Sequence, residues 1–233
     1  VLLPPSPADI ETALKKERDA CAVLLTSPDY YGNVADCAAI EKICRRYNKI
    51  FMVDGAHGAA LKFDPDARGH YAGESAHIWV DGSHKTMPSL TQGALLNVKD
   101  ETLISDAEEG LGFLRTTSPS YPIMASVEYG VKYMEENGAV LTDAVKRELT
   151  LVKARLQKSG IPFYTESKTL VLAVDFGAWA SRRTRRSRNS NGAMYMRRCA
   201  TAATCCSIFR PLRRPHSWRA WLGNSTPLRT AVR

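Results

Sequence analysis

No lysine, aspartate or glutamate follows Asp175 in this 233-residue chain, although the first 175 residues hold all 24 acids and 19 of the 32 lysines and arginines. The net charge is therefore −5 before that boundary and +13, carried by 13 arginines, after it. An overall +8 would normally suggest nucleic acid or another acidic partner, but here it does not describe the body of the chain. Apolar runs of about 18 residues are lacking as well, so no membrane-spanning helix is expected. No signal-peptide pattern is found, and a cytoplasmic compartment follows as the expectation. The six cysteines have no paired zinc-ligand spacing, so no metal site is expected. Cys21, Cys37 and Cys44 fall in apolar strand or helix patterns and read as small core residues. There is no initiator methionine: the chain opens at Val1 in what reads as an inter-strand loop, and the N-terminal part of its domain is expected to be absent.

The stretch after Asp175 is anomalous in kind. Arginine, alanine, serine, proline and tryptophan without acids or lysine, as in Ser181-Arg182-Arg183-Thr184-Arg185-Arg186-Ser187-Arg188, is what an out-of-frame reading of GC-rich DNA produces. We place the change of frame near Phe176 to Ala180 and expect residues 176–233 to be disordered. The competing reading is a genuine arginine-rich arm that binds nucleic acid or a membrane surface by charge. Trp218 and Trp221 stand at i, i+3, but Pro211 and Pro215 interrupt the stretch and no nucleic-acid module is present. Nucleic acid and membrane are not expected as partners.

What is present upstream is regular. Residues 7–18 read as a helix, with Ser6 as its cap and Pro7 at its first position, followed by an apolar strand over 21–26. Over 33–47 the apolar residues Val34, Cys37, Ile40, Ile43 and Cys44 repeat on one helical face. Strands follow over 50–53, 77–81 and 92–98. Helices then cover 121–137, with Ser120 as cap and Pro122 in the first turn, and 139–159, joined at Gly138. A last strand runs over 169–175. Short apolar strands alternating with helices predict a parallel or mixed α/β sheet with functional groups at the strand ends.

Two segments place chemistry at such ends. Phe51-Met52-Val53-Asp54-Gly55-Ala56-His57-Gly58 sets an acid at the end of an apolar strand and a histidine shortly after it. Downstream, Val80-Asp81-Gly82-Ser83-His84-Lys85 sets a lysine at the end of the next strand. Pyridoxal 5'-phosphate needs a lysine to form its Schiff base and a carboxylate to keep its pyridine nitrogen protonated. Paired with that pyridinium, Asp54 should stay ionised, because close opposite charges favour both charged forms. Taken singly, each residue has a plainer reading. Lys85 is a solvated loop charge, Asp54 a cap or loop acid, His57 a satisfied structural histidine, and Tyr30-Tyr31-Gly32 a turn.

Together with Leu25-Thr26-Ser27-Pro28-Asp29-Tyr30-Tyr31-Gly32, His84-Lys85-Thr86-Met87-Pro88-Ser89-Leu90-Thr91-Gln92 and Thr117-Ser118-Pro119-Ser120-Tyr121, these segments resemble the major domain of the Orn/Lys/Arg decarboxylase family. The resemblance runs from about Pro4 to about Asp175. It implies a PLP-dependent transferase-like (fold-type-I) major domain, mostly parallel and flanked by helices, here truncated. It also implies Lys85 as the Schiff-base lysine, Asp54 on the pyridine nitrogen, His57 beside the phenolic oxygen, and His84 on the phosphate. Ser27 would lie near the ring, while Thr117 and Ser118 would reach the cofactor of the other subunit of a homodimer or higher homo-oligomer. Many family members carry a phosphate-binding serine where this chain has Gly82, so Ser83 or backbone amides would have to compensate.

The implied domain plan is a partial cofactor-binding major domain over 1–137, a linker helix and the start of a small domain over 138–175, and the arginine-rich tail over 176–233. The implied activity is decarboxylation of arginine, lysine or ornithine to a polyamine or diamine, with this fragment itself inactive. An aminotransferase, an acyl-transferring synthase or an aldolase of the same fold would use the same lysine, acid and histidine. A damaged gene product without enzymatic function, with a basic nucleic-acid-binding arm, is the remaining alternative.

Overall fold

The computed structural model describes residues 3–164, 167–178 and 205–208. Helix α1 (Pro7–Lys16) starts as the sequence predicts: Ser6 and Asp9 form a reciprocal capping box, the Asp9 amide donating to Ser6 Oγ and the Ser6 amide to Asp9 Oδ2. Strand β1 (Ala22–Thr26) follows. Helix α2 (Cys37–Arg46) begins four residues later than the apolar pattern suggests, because Asp36 is its N-cap, accepting from the Ala39 amide at 2.9 Å. Residues 33–35 belong to the preceding loop, held there by the Ala35 amide on Ser27 Oγ.

Strands β2 (Ile50–Asp54) and β3 (Ile78–Asp81) extend the sheet in parallel, with Thr26 opposite Asp54 and Asp54 opposite Val80. Strand β4 (Leu95–Val98) runs antiparallel on β3, giving the order β1-β2-β3-β4 and the expected mixed sheet. It starts three residues later than predicted, since Gln92 has φ +71° and Gly93 closes a turn onto the Leu90 carbonyl. One sheet face is sealed by α2, where Ile40, Cys37 and Cys44 pack on Phe51, Val53 and Leu25. Ile40 and Phe51 are completely buried; each contributes on the order of 1.5–3 kcal/mol. Cys21, expected in a core pattern, is exposed one residue before β1.

A 38-residue helix packs against the 3-10 segment Ala59–Phe63. Short helices α3 (Ser83–Thr86) and α4 (Ile104–Leu114) precede it, and α5 (Tyr121–Lys158) runs without a break. The sequence reading of two helices joined at Gly138 is therefore incorrect. Gly138 is a crossing point, where a Cβ would lie 2.5 Å from Phe63 Cβ in the 3-10 segment Ala59–Phe63. There Met134 buries against Ala59, Ala60 and Met87. Lys146 ties the same helix to Asp64 and, at 2.8 Å, to Asp66. Helix α4 escapes the sequence reading because it has no buried residue to mark a face and two glycines inside it.

Strand β5 (Val171–Val174) pairs antiparallel with β6 (Cys205–Ile208). Residues 179–204 and 209–233, with Trp218 and Trp221, lie outside the described residues. Among the described residues no helix is long and apolar enough to cross a membrane.

Candidate active site

Asp54 ends the strand between β1 and β3, at the carboxyl edge where an open α/β sheet presents its crevice. Its Oδ1 accepts the Ala56 amide at 3.1 Å, and Gly58 N donates to Gly55 O at 2.7 Å, which swings His57 round beyond the strand. Gly55 permits this turn to lie on the neighbouring strand: a Cβ there would sit 2.9 Å from the Val80 carbonyl oxygen.

Lys85 does not end a strand as predicted. It stands four residues beyond β3, on the single turn of α3. The two turns nevertheless meet: a Cβ on Gly82 would lie 2.5 Å from the Ala56 carbonyl oxygen and 3.2 Å from Lys85 Cδ. Glycine suits this position, because the Ala56 backbone fills the space a side chain would need.

His57 joins the pieces. Burial holds its imidazole below the usual histidine range, the Lys85 ammonium pushes the same way, and Asp54 and the Asp29 backbone carbonyl oppose them. The ring is thus a neutral, half-buried group between an amine and a carboxylate, with the Tyr30 ring 5.7 Å away and tilted 57°. Sequence reasoning took Tyr30 only as a turn residue; its place before Tyr31 and Gly32 in the loop after β1 was the available signal.

The remaining candidates are arranged differently. Ser27 is fully buried beside the acid, its amide donating to Asp54 O at 3.0 Å, but its hydroxyl accepts from Ala35 N at 3.1 Å and meets the Cys37 thiol. Ser83 is fully buried, its Oγ accepting from Ser89 at 3.1 Å. His84 Nδ1 is 2.7 Å from Gly93 O; a carbonyl only accepts, so Nδ1 carries the proton. Thr117 and Ser118 are exposed in the loop between α4 and α5. Ser118 borders an open groove of about 1210 Å³ formed by residues such as Gly93, Arg115, Ile123 and Val127, and Asp54, His57 and Lys85 do not line it.

One further carboxylate was missed. Asp81, the last residue of β3, is 4% exposed; Tyr71 OH, Trp79 Nε1 and Asn97 Nδ2 all donate to its Oδ2, at 2.8, 3.0 and 3.0 Å. Burial raises its carboxyl above the usual range. An acid at the end of an otherwise apolar strand was the signal.

An acid, an imidazole and an amine on adjoining turns are the donor set that pyridoxal 5'-phosphate requires, so the residues fit that cofactor. Comparison with known proteins agrees with this chemistry. A model of the Orn/Lys/Arg decarboxylase major domain matches residues 7–180. The chain is 34% identical over 146 residues to the uncharacterized protein YaaO of Bacillus subtilis, covering 61% of this chain and 30% of that protein. It is 30% identical over 135 residues to an arginine decarboxylase of Bacillus cereus, covering 58% and 29%. The chain thus spans under a third of the length of these relatives. Among solved structures, mouse CSAD in apo form superposes with a TM-score of 0.68 at 13% identity, covering 93% of this chain and 54% of that one. Sphingomonas wittichii serine palmitoyltransferase gives 0.65 at 15%, covering 94% and 57%. At such identities the likeness shows the fold alone.

Proposed function

The chain belongs to the Orn/Lys/Arg decarboxylase family through that family's major domain, and on this premise we propose that Asp54, His57 and Lys85 are its share of a site for pyridoxal 5'-phosphate-dependent decarboxylation of a basic amino acid. The observation that carries the reading is the meeting of the Asp54–His57 turn with the Gly82–Lys85 turn, with Lys85 and Asp54 both acting on the His57 ring. The mixed α/β architecture is the fold-type-I architecture of the solved neighbours.

The bound cofactor supplies an electron sink for the pair left behind when the carboxylate departs. Lys85 provides the amine that holds the cofactor. Asp54 is exposed at the strand end, placed to keep a proton on the pyridine nitrogen. His57, kept neutral, stands beside the phenolic oxygen without adding a second positive charge next to Lys85. His84 and Ser83 are assigned to the phosphate, with Ser27 as a wall below the ring, its hydroxyl engaged by the Ala35 amide and the Cys37 thiol.

The substrate class is arginine, lysine or ornithine, and arginine is favoured by the arginine decarboxylases among the relatives; the product is a polyamine or diamine. Residues 1–137 are read as part of the cofactor-binding domain and 138–175 as the linker and start of a small domain. A homodimer is assigned, in which Thr117 and Ser118, exposed on one subunit, serve the cofactor of the other. We place the reaction in the cytoplasm.

The test is incubation of the full chain with pyridoxal 5'-phosphate, borohydride reduction and peptide mapping. A visible-absorbing adduct should be trapped at Lys85 and vanish in Lys85→Ala. An adduct spread over surface lysines, unchanged by that substitution, would refute the site. Release of labelled carbon dioxide from arginine by the complete enzyme separates decarboxylation from amino-group transfer to a keto acid.

A further inference from the structure

We propose that Tyr164 and Asn33 are positioning residues for His57, acting through Asp29 in a hydrogen-bonded relay that ties the site loop to the C-terminal strand β5. Tyr164 OH donates to Asn33 Oδ1 across 131 residues of sequence. Asn33 is 5% exposed and donates from Nδ2 to Asp29 Oδ2 at 2.6 Å. The other carboxylate oxygen of Asp29 accepts the amides of Tyr31 and Asn33 at 2.8 and 2.9 Å. The Asp29 loop, finally, reaches the His57 ring: the adjoining Tyr30 ring lies 5.7 Å from it, and the Asp29 backbone carbonyl acts on the imidazole to raise its affinity for a proton.

Each link has one sensible polarity. A carboxylate only accepts, so the Asn33 side chain must turn its NH₂ toward Asp29 and its oxygen toward Tyr164. Flipped, it would set an oxygen against a carboxylate in a buried place, where an unpaired polar contact is costly. The Tyr164 hydroxyl fixes that orientation by donating to the oxygen. Tyr164 is itself held by the main chain, its amide donating to Ala173 O at 2.9 Å while Phe163 bridges Val174. A second seam runs alongside, from Lys168 N to Gly32 O at 2.9 Å. Gly32 has φ +84°, and a Cβ there would press into the Ser167 and Thr169 hydroxyls, so only glycine lets the two segments close.

The charged groups acting on His57 are Lys85, Asp54 and Asp29, with the Tyr30 ring beside it. Asp29 alone among the three is gripped from outside the immediate site. The segment beyond α5 thereby sets the carbonyl on which the imidazole rests. The functional meaning rests on the reading of His57 as a cofactor neighbour; the relay itself does not.

The test is an NMR titration of the His57 ring in the full chain without cofactor, the signal being assigned among the five histidines by His57→Gln. Weakening the carbonyl contact removes an influence that raises the ring's affinity for a proton. Tyr164→Phe should therefore lower the His57 midpoint by about half a unit, as expected for partial loss of one hydrogen bond. Asn33→Ala should lower it at least as far, and the double variant no further than Asn33→Ala. Ser167→Ala, which removes a hydroxyl of the same segment bonded to Thr169, should leave it in place. A midpoint moved by under about 0.1 unit in Tyr164→Phe, or moved equally by Ser167→Ala, overturns the relay. Asn33→Ala carries the same decision should Tyr164→Phe fail to fold. Trapping at Lys85 is scored separately. Cofactor trapped with His57 unmoved leaves the active site standing and the relay fallen; a moved His57 without trapping does the reverse.

Discussion

Substituting Gly82 by alanine probes the contact on which the site's assembly depends. The new Cβ would stand 2.5 Å from the Ala56 carbonyl oxygen and 3.2 Å from Lys85 Cδ. Close carbon–oxygen contacts settle near 3.3–3.6 Å, so the two turns must part by about 1 Å. Lys85 can yield at small cost, because Cδ belongs to a flexible stem. Ala56 cannot, because the atom is main chain inside the Asp54 turn. The backbone at Gly82, φ −83° and ψ 81°, lies on the side of φ that an L-residue adopts, so any effect comes from space alone. Overpacking of this kind costs about 1–3 kcal/mol, and a misplacement of about 1 Å in a reacting site costs on the order of 100-fold. Urea unfolding should show the lost stability, and absorbance titration a weakened uptake of pyridoxal 5'-phosphate. Gly82→Ser should behave the same way, since its Cβ meets the same carbonyl oxygen. Gly110→Ala is the control: nothing lies within 4 Å of its Cβ in α4, and it should stabilise by about 0.5–1 kcal/mol. Unchanged stability and unchanged cofactor uptake in Gly82→Ala would refute the close approach of the two turns.

Other expectations concern the scaffold. Burial raises the Asp81 carboxyl, so the folded state holds that proton more tightly than the unfolded chain, and stability falls as pH climbs from the ordinary aspartate value of about 3.9 to the raised folded one. Asp81→Asn should remove that slope, gaining on the parent between pH 4.5 and pH 7.5 in paired urea melts; parallel pH profiles would count against a buried, proton-holding Asp81. Gly138→Ala should lose about 1–3 kcal/mol despite alanine's better helix propensity, since its Cβ meets Phe63 Cβ at 2.5 Å; a stabilised variant would mean α5 does not cross there. Native-state alkylation with peptide mapping should modify exposed Cys21 and spare Cys37 and Cys44, which are 1% and 0% exposed, the Cys44 thiol being pushed up to about 11 by burial.

How far the sequence discloses this molecule follows the range of the interactions involved. Apolar runs of five residues, a serine–proline helix start and one apolar helical face are local, and β1, β2, α1 and α2 emerge from them within a few residues. Where a boundary shifts, a polar side chain decides it. Asp36 caps α2 in place of the apolar pattern's earlier start, and Gln92 with φ +71° holds β4 back to Leu95. Gly138 shows the limit most clearly. Read alone, it is a helix breaker; its actual role is set by Phe63, 75 positions earlier in the chain, which no local rule can see. Helix α4 fails for the opposite reason, having no buried face from which a period could be read.

The site divides along the same line. The proposed Asp54, His57 and Lys85 are legible because an acid at a strand end stands where α/β sheets collect ligands and because the proposed cofactor's chemistry calls for an acid and an amine. What holds those residues in place is not legible, since it consists of contacts between turns and between distant segments. The Ala56 carbonyl against Gly82 converts two separately readable motifs into one crevice, and it is visible only as the space a missing side chain would occupy. Asn33 lies between a carboxylate four residues earlier and a phenol 131 residues later. The first partner could be guessed from an Asx turn, the second could not. Chemistry-bearing groups are thus announced by residue type and position on an element, whereas the groups that aim them are ordinary amides, glycines and hydroxyls whose significance exists only after folding. Substitutions at Gly82, Asn33 and Tyr164 should accordingly alter this site while leaving every residue of its recognisable motifs except the neighbouring glycine unchanged.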